Sequence, residues 1–250
     1  MENSNSPNMP FSNWPQSTIQ FFNWPYHTNL KIDMENGTSR RIYNNFELQT
    51  IKYEINHKIR DIKSLENSYN LDLSNCFDIT DISLDNINYL DLSGCYKLMT
   101  VSLSNIETLI LNDCNISDVS MLKNISYLSL INCQKLVDVS TLNNVHKLNL
   151  TLCDNITDVS NLGTVHTLNL TLCTKITDVS NLGTVHTLKL NGCIKITDVS
   201  KLGTVHTLDL TDCINVTNIN NLDNVILTLS GCINIQPKVQ SYSYIPILYK

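Results

Sequence analysis

The chain has 250 residues, a formal net charge of -6 at pH 7 and a pI near 5.4. An acidic chain without clustered Lys and Arg argues against a surface that coats DNA or RNA, so we expect no nucleic-acid partner. Residues 1–7 show no basic segment leading into an apolar run, and no 18 consecutive residues are apolar. We therefore expect no membrane partner and an intracellular, cytoplasmic location.

The first 47 residues are aperiodic and repeat only a short tryptophan motif, Asn13-Trp14-Pro15 and Asn23-Trp24-Pro25. Two interpretations stay open for this segment. It is either an aromatic cap over the apolar end of the body that follows, or a docking segment for another protein.

The rest of the chain is organised by its nine cysteines, which recur every 19 or 20 residues. They are Cys76, Cys95, Cys114, Cys133, Cys153, Cys173, Cys193, Cys213 and Cys232. A fixed period of this length is typical of a solenoid, in which each repeat forms one coil. Before the first cysteine, Ile51, Tyr53, Asn56 and Ile59 follow the same spacing. The pattern thus predicts a solenoid of about ten coils over residues 48–235.

The spacing of apolar residues predicts the structure of each coil. In the unit 168–187 they stand at places 1, 3, 6, 9, 12, 15 and 18. Only the first pair is two apart, the spacing of a β-strand, whereas later gaps of three residues suit 3₁₀ or irregular turns. We expect successive strands to stack as a parallel β-sheet on one face, with thin 3₁₀ or irregular segments on the other.

These residues resemble the leucine-rich repeat family. The string Leu-x-Leu-x-x-Cys-x-x-Ile-Thr-Asp, present at 188–198 and 71–81, is similar to the cysteine-containing class, and the following Asp-Val-Ser-x-Leu is similar to internalin-like repeats. The resemblance implies an α/β-class solenoid, here mostly β, and a protein-binding function. The nearly identical units ending at His166, His186 and His206 also resemble repeat families of giant DNA viruses and amoebae.

The last segment, residues 236–250, is predicted to be a C-terminal cap. Pro237 removes a backbone donor that a further strand would need. Tyr242, Tyr244, Ile245 and Ile247 then offer apolar surface that can close the end of the solenoid.

Three repeated columns could carry chemistry, and each has a structural explanation. The cysteines are odd in number and lack a Cys-x-x-Cys pair, so we expect buried reduced thiols that donate weakly to turn carbonyls, not disulfides or zinc ligands. The aspartates typified by Asp178 stand where a carboxylate caps a turn, with a calcium row as the alternative. His146, His166, His186 and His206 are expected to be solvated, with metal binding or pH sensing as alternatives.

Catalysis is not expected. Ser180, Asp178 and His186 recur coil after coil, whereas a catalytic site needs convergent residues in a distinct setting. The single glycines before the strands do not form a phosphate-binding loop. We therefore predict no catalytic residue, no cofactor and no bound metal.

Partner binding is expected where the repeat is broken. Outward strand positions in the C-terminal half are monotonous Thr, Asn and Lys, whereas Tyr89, Ile110, Tyr127 and Ile131 occupy such positions in three consecutive coils. Aromatic and large apolar residues are typical interface anchors. We predict a monomeric or weakly self-associating scaffold that binds a protein through its exposed strand face. The alternatives are a structural, self-associating repeat protein and, less favoured, an ice- or polysaccharide-binding surface.

Overall fold

The structure is a computed structural model that describes residues 29–31, 41–43, 49–51, 70–85 and 87–235. Most of the predicted N-terminal segment (1–47), the predicted coil around Asn56 and the predicted C-terminal cap (236–250) lie outside the described residues.

The described chain forms short β-strands, most of them three residues long. In chain order they are β1 (Asn29–Lys31), β2 (Arg41–Tyr43), β3 (Gln49–Ile51), β4 (Asn70–Asp72), β5 (Asp81–Asp85), β6 (Tyr89–Asp91), β7 (Thr100–Ser104), β8 (Thr108–Ile110), β9 (Tyr127–Ser129), β10 (Lys147–Asn149), β11 (Thr167–Asn169), β12 (Thr187–Lys189), β13 (Thr207–Asp209) and β14 (Ile226–Thr228).

Nine of these strands begin a coil and stack in parallel. From β14 back to β4 the order is β14, β13, β12, β11, β10, β9, β8, β6 and β4. Each central leucine pairs with the next, as Leu148 does with Leu128 and Leu168. The register is set by burial, because a shift of one residue would turn these leucines out of the core. The predicted parallel sheet on one face is confirmed.

The N-terminal end of this sheet contains a strand from the segment predicted to be a cap or docking motif. β1 pairs in parallel with both β4 and β3, placing Leu30 beside Leu71 and Ile51, and β2 closes the edge against β3 in antiparallel orientation. β1 therefore separates β3 from the first cysteine-containing coil. Its sequence, a leucine between two polar residues, has the same pattern as that of β4.

The opposite face is built from tight turns, as predicted. Three coils carry 3₁₀ helices at the same place: Ser140–Asn144, Ser160–Thr164 and Ser180–Leu182. Each follows the spacing Val-x-x-Leu, with both apolar residues buried, as Val159 and Leu162 are. A gap of three matches the three residues per turn of a 3₁₀ helix, so both residues face inward.

The first two coils differ on this face. There β5 and β7 pair in parallel as a separate two-stranded sheet. Ile82 and Leu84 are two residues apart, and both are buried. This spacing favours a strand over a 3₁₀ turn. The spacing of three residues in the unit 168–187 did not predict this sheet.

One continuous hydrophobic core runs along the solenoid from Leu71 to Leu222. It thins at the last described coil, where Val225, Leu227 and Leu229 are only partly buried. A coil at the end of a stack lacks one neighbour and cannot bury its inward face alone.

Candidate functional site

The strand face in the C-terminal half is polar and its side chains bind one another. Asn169 Oδ1 accepts hydrogen bonds from Thr171 N and Oγ1, at 3.0 and 2.6 Å. Asn149 and Thr151 repeat the arrangement one coil earlier. A partner that binds here would displace existing hydrogen bonds and meet no apolar anchor.

The N-terminal half of the same face carries the predicted patch. Tyr89 and Tyr127 begin β6 and β9, Ile110 ends β8, and Ile131 lies two residues beyond β9. All four side chains are half-buried. The structure therefore brings the four residues to three adjacent coils, and we call this group the strand patch.

The register shows how the strand patch is arranged. Tyr89 and Tyr127 lie in one row, both paired with Thr108 between them. Ile110 lies in the neighbouring row and pairs with Asp91 and Ser129. The tyrosines and Ile110 thus alternate across the strands, within reach of one another for side chains of this length.

The Tyr89 end of the strand patch is also acidic. Burial raises the pKa of Tyr89, and the carboxylates of Asp91 and Asp72 and the Tyr127 hydroxyl raise it further. Both carboxylates are held in place, since Asp72 Oδ1 and Asp91 Oδ1 accept hydrogen bonds from serines two residues later. Fixed carboxylates beside aromatic rings favour a ligand that is apolar with a basic group.

The cysteine column is buried from Cys76 to Cys213, half-buried at Cys232, and forms a ladder between coils. From Cys95 onward, each thiol donates to the carbonyl of the leucine that directly follows the strand of the preceding coil, at 2.8 to 3.4 Å. Cys153 Sγ donates to Leu130 O, for example, at 2.9 Å. This confirms the predicted buried column and identifies its acceptors.

The ladder also explains why these thiols suit a structural role. Burial raises the pKa of Cys114 and Cys153 to about 11 and of Cys193 and Cys213 to about 12. A thiol with such a pKa stays protonated, so it remains a donor and a poor nucleophile. The nine cysteines are free, and no group of three or more metal-ligating side chains occurs among the residues that the structure describes.

The aspartate column caps turns, as predicted. Asp118, Asp138, Asp158, Asp178 and Asp198 each accept a hydrogen bond through Oδ1 from the backbone N–H of the serine two residues later. These bonds lower the pKa of each carboxyl group. Asp81 differs, because the hydroxyls of Thr80 and Thr100 donate to it instead.

The four histidines form an exposed stack beside the strands. The ring centroids of successive residues lie 4.7, 4.6 and 4.5 Å apart. Nδ1 of His186 lies 3.2 Å from Oγ1 of Thr187, which fixes the ring. Partial desolvation lowers the pKa of His186, and the neighbouring His206 and His166 lower it further. The metal-binding and pH-sensing alternatives for this row stay predictions.

Two leucines on the loop edge were missed by the sequence analysis. The residue before each cysteine has positive φ in all nine coils, between 57° and 73°. Seven coils place Asn, Asp or Gly there, but two place Leu152 and Leu172, which are exposed. The signal was present in the sequence, since a leucine in a series of Asn, Asp and Gly is unusual in a left-handed position.

The N-terminal coils have an aromatic pair on the same edge. Phe77 and Tyr96 stack with ring centroids 5.5 Å apart, and Lys97 Nζ lies 2.6 Å from Asp78 Oδ1 beside them. Both rings are exposed. This pair lies on the loop edge and is separate from the strand patch.

Parallel strands in register, a buried cysteine after each strand and 3₁₀ turns on the outer face decide the architecture. The fold is a leucine-rich repeat solenoid. The chain matches no protein-family model, and no curated protein is significantly similar to it in sequence.

Three solved structures from Listeria monocytogenes are similar to this chain. Internalin InlF is 18% identical with a TM-score of 0.35, covering 61% of this chain and 67% of its own. Internalin InlC2 is 22% identical with a TM-score of 0.34, and the match covers 61% of this chain and 81% of InlC2. The functional domain of InlJ, which includes a cysteine ladder, is 21% identical with a TM-score of 0.32. The match covers 68% of this chain and 49% of that domain. The fold assignment rests on the repeat and coil geometry of the chain itself.

In the part of the chain that the structure describes, no helix has the length and apolar character needed to cross a bilayer.

Proposed function

We propose that the protein is a non-enzymatic scaffold that binds a protein partner through the strand patch. The observation that carries this proposal is the contrast along one sheet face. Tyr89, Ile110, Tyr127 and Ile131 interrupt rows that elsewhere hold mutually bonded polar side chains. Half-buried tyrosines provide large contact area at low cost in side-chain entropy, which is why they are frequent anchors of interfaces.

The surroundings of the strand patch support a partner with both apolar and basic groups. Asp72 and Asp91 lie in β4 and β6 and add to the effect of burial in raising the pKa of Tyr89. A Lys or Arg of the partner would gain from both carboxylates and from the tyrosine ring face. Ile110 and Ile131 would then contact the partner's apolar side chains.

The patch is too small to act alone. Four half-buried residues expose far less than the roughly 800 Å² per partner of a standard interface. We infer that the partner extends over adjoining parts of the strand face, where the Thr and Asn rows contribute surface without anchors. Loss of the two tyrosines should therefore abolish most of the affinity.

The test is affinity purification with mass spectrometry from cells, using the intact chain and two matched variants. Tyr89→Ser with Tyr127→Ser removes the anchors, and Thr187→Ser with Thr207→Ser makes an equivalent change at the same coil position on the polar part of the face. We expect the tyrosine variant to lose the partner and the threonine variant to retain it. Equal recovery with both variants would refute the proposal.

The alternative function, structural self-association, is supported by the end of the described solenoid. Ile226 is 50% exposed in β14, and Leu227 and Leu229 are half-buried. Such an edge can pair with another chain. Sedimentation across a hundredfold range of concentration separates the two functions, because only edge pairing predicts oligomers that grow with concentration.

A further inference from the structure

The strand face carries opposite charges at the two ends of the strand patch. Asp72 and Asp91 end β4 and β6, at the N-terminal end of the strand patch. Lys147 begins β10, just beyond its C-terminal end, and the lysine side chain is exposed. Within the described chain Lys147 forms no ion pair. A partner that lies across these strands therefore meets negative charge at one end and positive charge at the other.

The negative end is built around Asp91 and a tyrosine. Asp91 Oδ1 accepts hydrogen bonds from Ser93 N and Oγ at 2.8 and 2.6 Å, which fix the carboxylate. Tyr89 lies two residues earlier in β6, on the same side of the sheet. Thr108 separates Tyr89 from Tyr127, so the Cα atoms of the two tyrosines lie two strand spacings apart, about 9.6 Å. An arginine side chain suits this end, because a guanidinium group stacks on aromatic rings and binds carboxylates.

The centre of the strand patch offers apolar surface. Ser129 pairs with Ile110 and is only 1% exposed. Its hydroxyl donates to Asn112 Oδ1 at 2.7 Å, and the same oxygen accepts a hydrogen bond from Ile131 N at 3.0 Å. The polar groups at this point are thus satisfied within the protein. A partner side chain over Ile110 and Ile131 gains most by being apolar.

The distances along the face match an extended chain. Lys147 pairs with Tyr127, so β10 lies three strands from β6, or about 14 Å. In an extended segment, the side chains of residues i, i+2 and i+4 point to one side and span about 14 Å. Residue i would lie near Tyr89 and Asp91, residue i+2 over Ile110, and residue i+4 beside Lys147.

The width of the strand patch also favours an extended segment. The row that contains Tyr89 and the row that contains Ile110 are two residues apart along the strands, about 7 Å. A helix with its side chains is about 10–12 Å wide. It would extend over Ser93 and Asn112, whose side chains already bind their neighbours. An extended segment avoids this overlap.

We propose that the strand face binds an extended segment of the partner in which a basic, an apolar and an acidic residue occupy every second position. The basic side chain lies beside Tyr89 and Asp91, the apolar one contacts Ile110, and the acidic one pairs with Lys147. This inference rests on the proposed function and adds the chemistry and the orientation of the partner. The segment runs in either chain direction, because the face positions the charges and not the termini.

Peptide titration of the full chain tests this pattern, with the backbone amide signals of Thr108, Ile110 and Ser129 followed by NMR. The probe is the acetylated and amidated heptapeptide Gly-Arg-Thr-Leu-Thr-Glu-Gly. Two matched controls replace its Arg by citrulline or its Glu by Gln, so each keeps the shape and removes one charge. We expect each control to bind about threefold more weakly, within the range of exposed charge pairs. Equal affinity for the three peptides, or no response to any of them, would overturn the proposal.

Neutral variants of the protein locate each contact. Asp72→Asn with Asp91→Asn removes the negative charge and keeps an acceptor for the serine bonds, since Asn169 accepts equivalent bonds at this strand position. In this variant the Arg and citrulline peptides should bind equally. In Lys147→Gln, the Glu and Gln peptides should bind equally. A charge preference that persists in the corresponding variant places the contact elsewhere and refutes the proposal.

Asp209→Asn is the matched control on the protein. Asp209 accepts the same bonds, from Thr211 N and Oγ1, and lies six strands from β6, about 29 Å. That distance exceeds the range of exposed charges in physiological salt, about 8 Å. The preference for Arg over citrulline should therefore be retained, and its loss in this variant would count against the assignment. Far-UV circular dichroism verifies that each variant folds.

The peptide experiment and the tyrosine experiment fail in different ways. If Tyr89→Ser with Tyr127→Ser loses the cellular partner while the three peptides bind equally, the proposed function stands and the charge pattern is wrong. If the peptides follow the pattern but the tyrosine variant retains the partner, the charge pattern is supported and the proposed function is wrong. A dimer of the full chain that the tyrosine variant abolishes would assign the face to a second copy and overturn this inference.

Discussion

Removing one rung of the cysteine ladder tests whether packing or hydrogen bonding dominates its contribution. Cys173 is fully buried, and its Sγ donates to Leu150 O at 3.0 Å. The same carbonyl also accepts a hydrogen bond from Cys153 N at 3.1 Å. It therefore stays satisfied in Cys173→Ala, and the variant loses packing and one weak donor.

The expected cost follows from these contacts. Removing a methylene-sized apolar group from a core costs about 0.8 kcal/mol. A residual hole of about 20 Å³, at about 24 cal/mol per Å³, adds roughly 0.5 kcal/mol. With a few tenths of a kcal/mol for the thiol hydrogen bond, we expect Cys173→Ala to lower the free energy of unfolding by about 1.5 kcal/mol.

Cys173→Ser separates the two contributions. Because a C–O bond is shorter than a C–S bond, the serine oxygen would lie farther than 3.0 Å from Leu150 O. That distance exceeds the usual O–H···O range, so the buried serine hydroxyl would lack a good hydrogen bond. Leaving a buried hydroxyl without one lowers the free energy of unfolding by about 1–3 kcal/mol. We expect the serine variant to be at least as destabilised as the alanine variant.

The assay is guanidinium unfolding in reducing buffer, followed by far-UV circular dichroism. Thr177→Ala, at an exposed position on the outer face, is the control and should change stability by less than about 0.5 kcal/mol. A serine variant as stable as the parent, with a destabilised alanine variant, would refute the packing argument and show that the hydrogen bond dominates.

Two predictions concern the histidine stack and the strained leucines. The folded-state pKa of His186 is lowered by partial desolvation and by its neighbours, so the unfolded chain binds more protons below the ordinary pKa of about 6.5. The contribution of His186 to stability should be constant above about pH 7.5 and fall as the pH drops through 6.5 towards the folded-state pKa of this residue. His186→Gln should reduce this fall, and a parent stability that rises on acidification from about pH 7.5 to about 6 would contradict the explanation. The second prediction concerns Leu172, whose φ is positive, a conformation that Asn tolerates better than Ala does. Leu172→Asn should therefore be more stable than Leu172→Ala by about 0.5–1 kcal/mol in the same unfolding assay. The reverse order would show that the conformation carries no strain.

Much of the strand patch could be predicted because the repeat assigns each residue a position. Once Leu71 and Leu90 define the strand, the alternation of side chains places Tyr89 on the outward face. The same reasoning missed Leu152 and Leu172, because the period says which residues face inward but not which backbone positions have positive φ. The Asn, Asp and Gly before the other seven cysteines mark this position in the sequence, and the backbone shows that the two leucines adopt the same conformation.

The sequence by itself determined most of the coil: its period, its strand, its inward cysteine and, in three coils, its 3₁₀ turn. It could do so because each coil contacts mainly its neighbours, and neighbouring coils carry almost the same residues. The tertiary structure decided the contacts between segments that differ in sequence or lie in different coils. It placed Leu30 beside Leu71, from a segment some 40 positions earlier, and gave each thiol from Cys95 onward an acceptor 22 or 23 residues back. Such contacts depend on how the coils stack in space, which a pattern along the chain does not specify.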